Sequence, residues 1–244
     1  MAGHLRARAA TEETAVDGAG RAAAEGGPTD GRDGPATSRP GLVEQLREDL
    51  VANCGLGRSG GPASSAELAF RALTRPGFHA VAVHRFGSWL SDSTPAPQPA
   101  LEVLYRLAFV FVRNVYGIEL PRQAKVGRRL RLPHQGGIVV HDSVEMGDDC
   151  LILHNVTVGD KFSNPDFEGE RTRLGRTPVP VLGSRVRVGA GAVVVGPVTI
   201  GDDAVIGANA VVTTDIPAGA TALAQPPRIR PPAEPSPARS EAAD

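Results

Sequence analysis

The chain has 244 residues, a formal net charge of -1, only 4% aromatic residues, 29 glycines and two cysteines. Near-neutral charge gives no electrostatic footing for nucleic acid or an anionic membrane surface, two cysteines cannot build a disulfide framework, and no apolar stretch is long enough for a membrane-spanning helix. The start of the chain lacks the apolar core of a secretory signal, so a cytoplasmic protein is expected.

Residues 1–40 are rich in Ala, Gly, Arg and Glu, almost without large apolar side chains, and a disordered extension is expected there. Residues 41–120 read as a small α-helical domain. Leu42, Leu46 and Leu50 recur at helical spacing, and Ala66 to Leu73 and Phe78 to Leu90 continue the pattern. Pro95, Pro97 and Pro99 break the chain before an apolar helix from Leu101 to Tyr116.

From residue 121 the period changes to six. Leu182, Val188, Val194, Ile200, Ile206 and Val212 are aliphatic, each followed within the hexad by small, polar and then small or β-branched residues. Val126, Leu132, Val140, Met146, Ile152 and Val158 form an earlier run, with Ile138, Val144, Cys150 and Val156 at companion positions. A six-residue period fits neither an α-helix nor an alternating strand; it predicts a left-handed parallel β-helix over residues 121–225. Three hexads make one triangular coil of about eighteen residues, with the aliphatic side chains filling the prism. Cys150 is expected to pack inside it.

Two interruptions carry the functional signal. Residues 160–181 have no hexad pattern and must leave the prism as a protruding loop, a length that is usually functional or disordered. His134-Gln135-Gly136-Gly137 adds two residues to one hexad, a bulge that pushes His134 out of the wall. Proline-rich residues 226–244 read as a cap and a loose tail.

The runs Gly117 to Gly127, Leu132 to Val140 and Asn155 to Gly159 resemble bacterial serine O-acetyltransferases, as do Arg75 to Ala80 with His84-Arg85, Val188 to Ala192 and Pro226 to Ile229. The resemblance implies acetyl transfer from acetyl-CoA to a hydroxyl group, with L-serine as acceptor, in a homotrimer or dimer of trimers with sites between neighbouring prisms. It makes His134 the general base and Glu119, where the family usually has aspartate, the acid that orients it. Gly189, Ala190, Gly207 and Ala208 become the groove for acetyl-CoA, with Arg228 near the nucleotide. His154, where the family commonly carries glutamine, is read as an acceptor-side residue and the rival base, and Arg176, with Arg171 and Arg173 in the loop, as a group for an anionic acceptor of another kind. No metal is expected. The tail ends in Asp244 rather than isoleucine, so no complex with the next enzyme of cysteine synthesis is expected through it.

Three positions depart from the family pattern: Pro133 replaces an aspartate, Pro178-Val179-Pro180 replaces an Arg-His-Pro run, and no aspartate lies about fifteen residues before Gly77. Those are the family's amino-acid-reading positions. A different hydroxyl acceptor, such as a sugar or a biosynthetic intermediate, is therefore the second reading, and a non-catalytic β-helix scaffold the third.

Overall fold

The structure, a computed structural model, describes residues 40–55, 64–92, 98–160 and 178–226. Among the described residues four helices come first: α1 Leu42–Cys54, α2 Ser65–Thr74, α3 Pro76–Asp92 and α4 Pro99–Phe111, the last running into a π-helical turn, Val112–Tyr116. Ser64 starts α2 by accepting the Glu67 amide, which occupies one of the amides a helix start leaves open. Pro99 begins α4 rather than ending a segment before it, because proline at the first helical position has no amide to lose. Gly117, at φ 65°, ends the turn in the left-handed region that glycine tolerates. α3 and α4 cross closely at Gly87, where a Cβ would collide with the Tyr105 ring.

Among the described residues the hexads form thirteen short strands, β1 Ile118–Glu119 to β13 Thr221–Ala222, which pair in parallel as three walls. One wall runs β1, β3 (Ile138–Val140), β6 (Thr157–Gly159), β9 (Val193–Val195), β12 (Val211–Val212). The second runs β2 (Lys125–Val126), β4 (Glu145–Met146), β7 (Val181–Leu182), β10 (Thr199–Ile200), and the third β5 (Leu151–Ile152), β8 (Arg187–Val188), β11 (Val205–Ile206), β13. The first strand joins the wall at Ile118, slightly earlier than the repeat suggests. Register displays the coil directly. Val140 pairs Val158 and Leu182 pairs Ile200, each eighteen residues apart. Val126 pairs Met146 at twenty, which counts the two-residue bulge. Met146 pairs Leu182 at thirty-six, so the loop between β6 (Thr157–Gly159) and β7 (Val181–Leu182) leaves the register intact. Leu132 and every later aliphatic hexad position through Val212 is buried, as are Val144, Cys150 and Val156. Burial raises the Cys150 thiol to about 11, which suits a packing residue.

Two corners need left-handed backbone on every coil. One carries Arg129, Asp149, Arg185, Asp203 and Gly219; the other carries Gly137, Asn155, Gly191 and Asn209. From the second coil of each corner onward, the left-handed residue donates its amide to a carbonyl of the coil before, as Asp149 does to Arg128 and Gly191 to His154. Side chains add a ladder at the first corner, where Arg129 grips Asp149 and Arg185 grips Asp203 through two bonds each.

The helices cover the first coil, whose outward-facing backbone groups have no earlier coil to bond. Arg85, buried beside Asp49 at 2.8 Å, donates to the carbonyls of Val126 and Gly127. His84 reaches the Pro121 carbonyl at 3.0 Å and Ser88 that of Arg122 at 2.9 Å. A carbonyl can only accept, so Nδ1 of His84 carries the proton. Burial, with Arg85 adjacent, lowers His84 to about 3, which keeps it neutral.

Candidate active site

The bulge lies between Leu132 and β3 (Ile138–Val140), anchored at both ends. On the downstream side, the Gly136 amide donates to the Tyr116 carbonyl at 2.9 Å, and the Gly136 carbonyl accepts the Asn155 amide at 2.8 Å. Tyr116 is itself held by α3. His79 donates from Nε2 to the Ala72 carbonyl at 2.7 Å, leaving Nδ1 to accept the Tyr116 hydroxyl at 3.1 Å. On the upstream side, the Asn53 side chain accepts the Leu132 amide at 3.0 Å and donates to the Leu130 carbonyl at 2.8 Å. Between these anchors His134 projects, exposed, from a bend.

His134 meets His154 edge to face, with ring centroids 5.7 Å apart and planes at 89°. His154 Nδ1 is buried without a hydrogen-bond partner. The wall register, with Ile152 opposite Val188 and Ile206 opposite Val188, puts His154, Ala190 and Ala208 at one position on successive coils. One corner of the prism therefore reads, coil by coil, Gly136, His154, Ala190, Ala208, and His134, on the bulge beside Gly136, meets the column at His154. Two imidazoles stand at one end of a strip of small side chains, an arrangement suited to proton transfer at the head of a long, narrow substrate.

The other expected site residues fall differently. Glu119 is half-buried on β1, opposite Val139 of β3, and among the described residues it makes no hydrogen bond or ion pair with His134. Gly189 and Gly207 donate their amides to the Ile206 and Ala222 carbonyls, both at 2.7 Å, and those amides already serve the prism. Gly189 is needed for stacking, since a Cβ there would lie 2.6 Å from the Ala208 nitrogen. Arg176 and Arg228 lie outside the described residues, as do the extension before Pro40, the tail after Pro226 and most of the loop. Pro178, Val179 and Pro180 are buried, with Val179 in the hydrophobic core. Sequence reading missed Asn53 and Tyr116. Neither sits in a motif, and each acts on the bulge across a long sequence separation.

Known proteins resemble the chain in both parts. A family model described as bacterial transferase hexapeptide (six repeats) matches residues 180–214. A serine acetyltransferase of Helicobacter pylori is 39% identical over 151 residues, which is 62% of this chain and 79% of that protein. One from Mycobacterium tuberculosis is 36% identical over 162 residues, 66% of this chain. The chain spans just 64% of that protein's length. Among solved structures, soybean serine acetyltransferase complexed with serine superposes with a TM-score of 0.61 at 27% identity, covering 78% of this chain and 70% of that one. The Neisseria gonorrhoeae enzyme in complex with serine gives 0.57 at 29%, covering 76% and 67%.

Proposed function

The chain belongs to the serine acetyltransferase family, and on that premise we propose that it transfers the acetyl group of acetyl-CoA to a hydroxyl, with L-serine the first acceptor to test and O-acetylserine the product. The observation that supports the reading is the exposed His134 on the bulge, in ring contact with His154 at the head of the strip His154, Ala190 and Ala208. The acceptor oxygen attacks the thioester carbonyl while His134 takes its proton. The tetrahedral intermediate then collapses, the C–S bond breaks, and the imidazolium returns the proton to the leaving sulfur. An alcohol at neutral pH needs such a base. Glu119, on the strand beside β3, is the carboxylate that orients the ring once substrate closes the site, since catalytic hydrogen bonds are often long without substrate. Small side chains at Ala190 and Ala208 let the pantetheine arm lie along the wall, with Arg228 at its nucleotide end and Arg176 on the acceptor side.

A second acceptor class is favoured by a specific observation. Val179 is packed in the core and Pro133 offers no charge, so neither gives an amino acid's ionic groups a partner. Thiol release measured with serine and with a panel of sugars and hydroxy acids decides between them. Turnover with serine alone supports the first reading, and turnover with another alcohol alone the second. No thiol release with any acceptor removes the enzymatic reading.

A homotrimer, or a pair of trimers, is proposed for the assembly. Its support in this chain is α4, which exposes Leu104, Leu107 and Phe111. Light scattering would read three or six times the 25.3 kDa chain. Among the described residues no helix is long and apolar enough to cross a membrane, and the proposed compartment is the cytoplasm.

A further inference from the structure

Each strand inside a parallel β-helix has its backbone groups bonded by the coil on either side. Leu130 to Leu132, the segment running into the bulge, belongs to the first coil. Arg131 bridges to Leu151 on the next coil, but the outward-facing groups of Leu130 and Leu132 have no earlier coil. The amide of Asn53, at the end of α1, supplies both missing partners. Its Nδ2 donates to the Leu130 carbonyl at 2.8 Å, and its Oδ1 accepts the Leu132 amide at 3.0 Å. Those are the two bonds that one residue of a neighbouring parallel strand would make. A side-chain amide carries the same donor and acceptor as a peptide, so it can stand in for one. Nδ2 also donates to the Asp49 carbonyl at 2.9 Å, one helical turn back, which fixes the side chain on its helix. On the same stretch α3 approaches so closely that a Cβ at Gly77 would collide with the Leu132 carbonyl oxygen.

We propose that Asn53 is a positioning residue for the reaction, acting as a one-residue substitute strand that fixes Leu132, two residues before His134. The proposal rests on His134 being the base. With Gly136 held by Tyr116 and Asn155, the histidine hangs between two fixed points, and releasing Leu132 frees one of them. A small misplacement of a base costs rate while leaving the binding of a distant co-substrate alone.

The experiment is steady-state kinetics on full-length Asn53→Ala, His134→Ala and the double variant, with amide exchange at Leu132. Asn53→Ala is expected to lower kcat about tenfold with KM for acetyl-CoA unchanged. It should speed exchange at Leu132 and produce no further loss in the His134→Ala background. Unchanged kcat, a rise in KM for acetyl-CoA as its main effect, or an equal loss in both backgrounds overturns the proposal. If Asn53→Ala does not fold, Asn53→Gln takes its place. That variant keeps the amide but moves it out by one methylene, and the same pattern is expected at a few-fold loss. Wild-type turnover in His134→Ala alone would instead overturn the assignment of the base, a separate result.

Discussion

His134 and His154 touch, yet their surroundings give them different tasks. His134 is exposed on a bulge with its ring unbonded among the described residues, whereas His154 lies on a regular coil with Nδ1 sealed off. His134→Ala is expected to lower turnover by roughly 10² to 10⁴, the usual contribution of a positioned base; thiol release at saturating substrates checks it. His154→Gln is expected to keep most of the rate, changing acceptor affinity at most, because glutamine preserves a hydrogen-bonding group at that position. A collapse of the rate with acetyl-CoA binding intact would move the base from the bulge to the coil. A third histidine, His84, acts on stability instead. Its folded value of about 3 lies below the ordinary 6.5 of the unfolded chain, so the unfolded state takes up the proton first. Stability is full above pH 6.5 and falls as the pH drops from there towards 3. His84→Asn can keep a donor for the Pro121 carbonyl without that titration, and should shift the acid-unfolding midpoint to lower pH by circular dichroism.

The strands could be read from sequence because every hexad announces itself: an aliphatic residue at a fixed phase is what a narrow prism requires, and Val140, Ile152 and Val188 all lie where the period puts them. The bulge was legible for the same reason, as a place where the phase breaks. The helical covering was not. Arg85, His84, Ser88 and Asn53 complete the first coil through side-chain bonds to backbone over separations of 34 to 79 residues, and such bonds leave no period. The placing of Glu119 relative to His134 was also beyond the sequence, since a spacing of fifteen residues does not fix where a bulge aims its side chain. The buried Asp49–Arg85 pair tests how much this covering contributes. Asp49→Ala would leave the guanidinium buried without its counter-charge, and a loss of about 3–5 kcal/mol is expected from denaturant unfolding. Replacing both partners by apolar residues should cost less, because it removes the stranded charge.

At the scale of the whole molecule the described part is a stack with unlike ends. Helices close the first coil, whereas β12 (Val211–Val212) and β13 have coil neighbours on one side only among the described residues. Each coil meets only the next, so stability behaves as a sum along a line rather than over a volume. The molecule therefore has a direction in which it comes apart. Opening should start at the last coil and travel towards the helices like a zip, so that Val212 exchanges its amide hydrogen well before Val140, as mass-resolved exchange can time. A uniform rate along the stack would remove that polarity. The imidazole pair sits near the closed end, where the zip stops last. A chain frayed at its far coils could keep its proton-transfer groups in order while the wall beyond them melts.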